Sequence, residues 1–155
     1  MSLVQLSPVL FESVSNVTAT NSVDVGTERK VGDETYRYVY NAGNSQIPPS
    51  YGCILSGVTG YSVTISSTTS VDFLVGVVKH TTLTTGTYGW IMTQGFAAVE
   101  MEADNSAAAG DLLVLAEAGE FANKTISTGY PAPVQAKAMA AIASGASGQA
   151  FVNVR

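Results

Sequence analysis

Charge is what this sequence has least of. Asp, Glu, Lys and Arg make up 12% of its 155 residues, about half of the roughly 25% usual in soluble domains. Seven basic residues stand against twelve acidic ones, a net charge of −5, and the cations are scattered, with Arg29-Lys30 their one adjacent pair. Nucleic-acid binding needs a basic surface to neutralise phosphates, so that class is excluded. Histidine and cysteine are present once each, as His80 and Cys53. A single cysteine closes no intrachain disulfide and builds no cysteine metal cluster, which excludes a secreted disulfide scaffold. Zinc needs three or four His, Cys or carboxylate ligands, and the inventory does not supply the usual sets. No apolar run reaches the roughly 18–20 residues of a membrane helix. Residues 1–11 are apolar but lack a basic flank, carry Pro8 and are too short for a signal peptide, so the expected compartment is the cytoplasm in which the protein is made or assembled.

What fills the polar positions instead is serine and threonine. A surface built on hydroxyls rather than charges is common where partners cover much of it, although many soluble β proteins share it. The length suits one domain with a real core and leaves room for an arm. The secondary-structure signal is β nearly throughout. T-Y-R-Y-V-Y (35–40) alternates, with Tyr36, Tyr38 and Tyr40 on one face and Arg37 and Val39 on the other. Tyr61, Val63 and Ile65 alternate with Ser62, Thr64 and Ser66, the cleanest half-buried strand pattern in the chain. The charge-rich G-T-E-R-K-V-G-D-E (26–34) predicts a solvated hairpin tip, and Pro48-Pro49 an extended segment without ladder bonds. Residues 72–101 organise the chain. They predict three short strands, at 73–78, 88–93 and 96–101, with a turn at Gln94-Gly95. Residues 13–25 predict one or two edge strands turning near Asn21-Ser22. Residues 104–109 allow a short helical turn. Residues 131–144 carry both alanine helix propensity and a strand-like alternation, with strand favoured in this context. Residues 149–154 predict a closing strand. The expected class is all-β, a compact single-domain β-barrel or β-tulip-like sandwich with an extended N-terminal arm.

Candidate chemistry is sparse. A Ser-His-Asp arrangement would have to be built on His80, since its proton transfers run through imidazole. No G-x-S-x-G elbow exists, and an exposed loop histidine explains His80 better. Glu100, Glu102 and Asp104, at i, i+2 and i+4, would share one face of an extended strand. They could bind a hard cation or act as a glycosidase pair, but a solvated outer face is the simpler explanation. No phosphate-binding loop is present, and no glycine is followed by lysine. Cys53, between Gly52 and Ile54, reads as a buried, inert thiol. The tyrosine stripe and Trp90 could stack sugars or bases. More often such a stripe lines a sheet, ring buried and hydroxyl wet. The expectation is therefore no enzyme, no cofactor and no metal site.

Several stretches together resemble a known family. They are VGTERKVGDETYRYVYNAG (25–43), VGVV (75–78), TTGTYGWIMTQGFAAVEMEA (84–103), AAAGDLLVLAEAGEF (107–121) and AKAMAAIASGASGQAFVNV (136–154). In this order they resemble the small capsid decoration, or cement, proteins of tailed bacteriophages, over roughly residues 26–155. The resemblance implies a β-barrel or β-tulip domain at 26–155, preceded by an arm and edge strand at 1–25. It implies homotrimers on the outer capsid surface of the virion, bridging neighbouring major capsid subunits against internal DNA pressure, without nucleic-acid or membrane contact. Leu3, Val4, Leu6, Val9, Leu10 and Phe11 are the candidate contact residues, because so apolar a chain end is costly to leave in water. They would pack on a neighbour or on their own domain, or add a strand to its sheet. A carbohydrate-binding or adhesin-like module, in a head or tail fibre, is the alternative, motivated by Tyr36, Tyr38, Tyr40 and Trp90.

Overall fold

The computed structural model describes residues 12–57, 60–65, 73–123 and 135–154. The arm residues Leu3, Val4, Leu6, Val9, Leu10 and Phe11 lie outside the described residues. Within them the chain is all-β, as expected. Its strands are β1 (Val17–Thr18), β2 (Glu28–Val31), β3 (Glu34–Asn41), β4 (Gly52–Leu55), β5 (Ser62–Thr64), β6 (Gly76–Val77), β7 (Tyr88–Glu100), β8 (Leu112–Leu115), β9 (Phe121–Asn123), β10 (Ala136–Ala138) and β11 (Ser147–Asn153), with one 3₁₀ turn at Glu117–Gly119.

The alternation at 35–40 becomes β3, and the charged stretch before it becomes hairpin strand β2, turning at Gly32-Asp33. β3 then enters a closed barrel. It pairs in parallel with β5; β5 pairs with β4, β4 with β6 and β6 with β7, all antiparallel; and β7 returns antiparallel to β3. Five strands make a narrow interior, which side chains fill completely. Val39, Cys53, Val63 and Ile91, one from each of four staves, form this filling with Val75 and Val78, which flank β6.

β7 is a stave of the barrel over its first half and the root of a second sheet over its last. From Gln94 to Glu100 it pairs with β11, and the order continues antiparallel through β10, β8 and β9. A parallel bridge between Met101 and Phe121, with the Glu102 N–H donating to the Phe121 carbonyl at 2.9 Å, brings β9 back to the end of β7. The second core lies here. It joins Val99, Met101, Leu113 and Phe121 of this sheet to Tyr38 and Trp90 on the outward side of the barrel. Gly52 lets the two halves touch, since a Cβ there would meet Leu115 Cδ1 at 2.5 Å and Leu74 Cδ1 at 2.7 Å.

The expected turn at Gln94-Gly95 is absent, and β7 runs straight through it. Tyr36 pairs with Met92 but Thr35 with Gln94, so β7 carries one extra residue, a β-bulge. Gly95 follows at φ 134°. The bulge changes which residues face the second core. Trp90 and Met92, even-numbered, face it before the bulge; Ala97, Val99 and Met101, odd-numbered, face it after. A side-chain period of two makes any one-residue insertion exchange the faces. Glycine after a polar residue commonly signals a turn, whereas inside a strand it also marks a bulge.

Other elements are shorter than expected. Residues 13–25 contribute only β1, held to Tyr88 and Gly89, because Val14, Val23 and Val25 pack on the second core and Val17 on the barrel filling. No helix forms at 104–109: the chain turns at Ala103-Asp104 and Ala107 bridges to Ile142. Of residues 131–144, 131–134 lie outside the described residues. The remainder forms β10 and that bridge, as the alternation suggested.

Gly95→Ala should cost roughly 1–3 kcal/mol, because a side chain there is strained at this φ and its Cβ would lie 2.9 Å from Glu34 Cγ. Urea denaturation checks it; a midpoint within error of the parent protein would contradict the bulge's role.

Candidate binding surfaces

The sequence-predicted chemistry does not converge on one site. His80 is exposed, as expected, but it is not free: its ring stacks on Tyr36 with centroids 5.9 Å apart, and Nε2 lies 3.1 Å from the Tyr36 hydroxyl. The Tyr36 hydroxyl donates its one proton to Glu34, so the His80 Nε2 is the protonated nitrogen of the neutral ring. Lys79 pairs with the same Glu34. Burial raises the Glu34 carboxyl, but the hydrogen bonds from Lys79 and Tyr36 and the nearby positive charge outweigh it and hold Glu34 below its ordinary range. Burial, then the Lys79 charge, lowers His80. This is a polar clasp between β3 and the end of the β6 segment. Cys53 is fully buried, its thiol donating to the Gly76 carbonyl at 3.3 Å, and burial pushes its pKa up to about 12; at neutral pH it is a protonated, unreactive filler.

Glu100, Glu102 and Asp104 do not share a strand face. β7 ends at Glu100, and the Asn105 N–H closes a turn on the Glu102 carbonyl at 3.0 Å, which carries Asp104 away to the surface. Glu100 accepts from the Ser147 hydroxyl, and Glu102 from Asn105 Nδ2 at 2.8 Å. The 3₁₀ turn at Glu117–Gly119 brings up Glu120. Burial, and then the charges of Glu102, Glu100 and Glu117, raise the Glu120 carboxyl. Among the described residues no three His, Cys, Asp or Glu side chains are grouped to hold a metal ion.

The aromatic residues do converge, but inward. β3 and β7 run in register, so that Tyr38 faces Trp90 and Tyr40 faces Tyr88, with centroids 5.0 Å and 4.7 Å apart. Tyr36, Tyr38 and Trp90 are 1%, 0% and 5% exposed, so three of the four rings proposed as a sugar platform are core. The Tyr38 hydroxyl reaches Ser22 at 3.0 Å, in keeping with a sheet lining. The Trp90 indole N–H is buried without a hydrogen-bond partner among the described residues.

What the surface does offer is apolar sheet. On the second sheet the outward side chains of β7, β11 and β10 lie in register: Phe96 beside Phe151 beside Lys137, and Ala98 beside Gln149. Phe96 and Met139 are each 47% exposed, and Phe96 meets Phe151 edge to face at 5.2 Å. A shallow groove of about 200 Å³ runs beside them, lined by Leu112, Lys137, Phe151 and Asn153. A second apolar spot, Leu55 and Phe73, borders a cleft of about 240 Å³ with Ile54 and Val75. Both are smaller than the roughly 300–1,000 Å³ of small-molecule pockets.

Glu120 titrates against folding. Its carboxyl is harder to ionise in the folded chain than in the unfolded one, so there is no penalty below its ordinary value of 4.5. The penalty appears as pH rises through that value to the raised one, and it persists above. Glu120→Gln should therefore raise the melting temperature at pH 7, by roughly 1–2 °C for a partly exposed group, and leave it unchanged at pH 3. A thermal melt at the two pH values checks this, and equal shifts at both would contradict it.

No family model matches this chain, and no curated protein matches it. Among solved structures, its fold is similar to that of the head fiber gp8.5 N base of bacteriophage phi29. The match covers 76% of this chain and 94% of that one, with a TM-score of 0.53 and 14% identity. At that identity the likeness is one of fold alone.

Proposed function

We propose that this protein is a structural component of a bacteriophage head, binding the outer surface of the shell through modest contacts repeated over many copies. The observation that carries this reading is the fold shared with a phage head fiber base. The residue patterns of capsid decoration proteins in 26–155 point the same way from the sequence side. The finer role is cementing: the domain bridges neighbouring major capsid subunits and resists internal DNA pressure, with no catalytic step and no cofactor. Acidic charge suits an outer surface away from DNA, and sparse charge suits a surface that partners cover.

The physics is avidity. Once one contact to the shell is made, the next is intramolecular, and several linked weak contacts gain about 10²–10⁴ in effective affinity. Residues 2–12 supply one such contact in this reading, through Leu3, Val4, Leu6, Val9, Leu10 and Phe11. A second reading, a domain that roots a fibre or adhesin on the head, is favoured by the structural neighbour, itself a head fiber base.

Density-gradient sedimentation of lysate from the source system, with immunodetection, tests the proposal. The protein should band with filled particles; recovery only among soluble proteins at the top would overturn it. Copy number relative to the major capsid protein separates the readings, since a shell-wide cement is abundant and a fibre root is rare. Removal of residues 2–12 should leave the fold intact and reduce particle binding at least about tenfold, the loss of one linked contact. Undiminished binding would assign the contact elsewhere. On a glycan array a cement protein binds nothing, whereas a fibre adhesin gives discrete hits.

A further inference from the structure

On the outward face of the second sheet Phe96 and Phe151 lie side by side in one row that continues through Lys137 to Leu112, and Ala98, Gln149 and Met139 form the next row. Lys137 stands on β10, in the Phe96–Phe151 row. Glu100 stands at the far end of β7, beside Ser147, so the two charges lie diagonally across the face. Neither charge has a counter-ion: the ion pairs among the described residues are Arg37–Glu28 and Lys79–Glu34, which belong to β2, β3 and the segment after β6. The Glu100 border is further acidified by Glu102 and Glu120. A purely acidic or purely basic partner would satisfy one border and be repelled at the other. A surface that carries the same two charges on the same diagonal satisfies both.

We propose that a second copy of this chain covers this face, sheet against sheet, with Lys137 of each copy over Glu100 of the other. Stacked sheets pack about 10 Å apart with their inner side chains interdigitated, and Phe96 and Phe151 supply the bulk for that layer, with Ala98 beside them. Contact of one patch with the same patch is isologous, so it closes at two copies. The resemblance to decoration proteins implies three, so the two assemblies are distinguishable by mass. The pairing does not rest on the shell-binding reading, because it concerns the protein alone in solution.

Light scattering on the full chain, through a dilution series, tests it. The expected mass at high concentration is twice the 16.0 kDa of the chain. Lys137→Glu and Glu100→Lys should each weaken the pair by about tenfold or more, and the double reversal should restore it to within about threefold. Phe96→Ser should weaken it too, and the charge reversal should not rescue that variant. All of these substitutions sit at partly or fully exposed positions, and melting temperatures near that of the parent protein verify folding. A monomer at every concentration, a three-copy assembly, or a dimer indifferent to both single reversals would each overturn the proposal.

Discussion

The structure depends on one inserted residue in one strand. β7 serves two cores, because its first half closes the barrel against β3 and its second half carries the sheet that begins with β11. A regular strand cannot present the same face to one continuous core while it also bends from one sheet into another. The bulge between Met92 and Gly95 does both. It bends the strand and exchanges odd for even positions, so Trp90, Met92, Val99 and Met101 belong to one cluster. Glycine is needed at position 95 because its φ of 134° excludes other side chains.

The division of the core follows. The narrow barrel accepts β-branched side chains and a cysteine, and the bulky aromatics are left for its outside. Tyr36, Tyr38 and Trp90 are buried because the rest of the molecule is built over them: the second sheet, and the segment that supplies Val14, Val23 and Val25. The polar ends of the stripe are held individually, Tyr36 by Glu34 and His80 and Tyr38 by Ser22. A ring stripe that resembles a ligand platform along the sequence is thus the seam between the two halves of the fold.

With its rings inside and its carboxylates dispersed over strand ends and turns, the molecule presents sheet faces and loops. Few of its interactions are strong: two ion pairs among the described residues, both near β2 and β3. In the proposed role such a protein would gain affinity by repetition and by shape. The open Phe96–Phe151 face and the Leu55–Phe73 spot are where such a molecule has apolar area left to bury.

Local chemistry was legible where a short period or a single residue decided the outcome. Alternation placed β3, β5 and β11, the charged stretch placed the β2–β3 hairpin, and the isolated, apolar setting of Cys53 announced a buried thiol. The same alternation over 136–142 favoured strand over the alanine helix. What the sequence could not disclose depended on partners distant along the chain. Gln94-Gly95 has the composition of a turn, and only the register against Thr35 and Tyr36 makes it a bulge. Glu100, Glu102 and Asp104 have the spacing of one strand face, and only the turn closed by Asn105 separates them, while the 3₁₀ turn brings in Glu120. Tyr36, Tyr38 and Trp90 read equally well as platform or core, because exposure belongs to whatever packs above a strand, and that is set by tertiary contacts. By itself, then, the sequence determined an all-β chain of low charge. Tertiary structure decided which of its faces were left open to a partner.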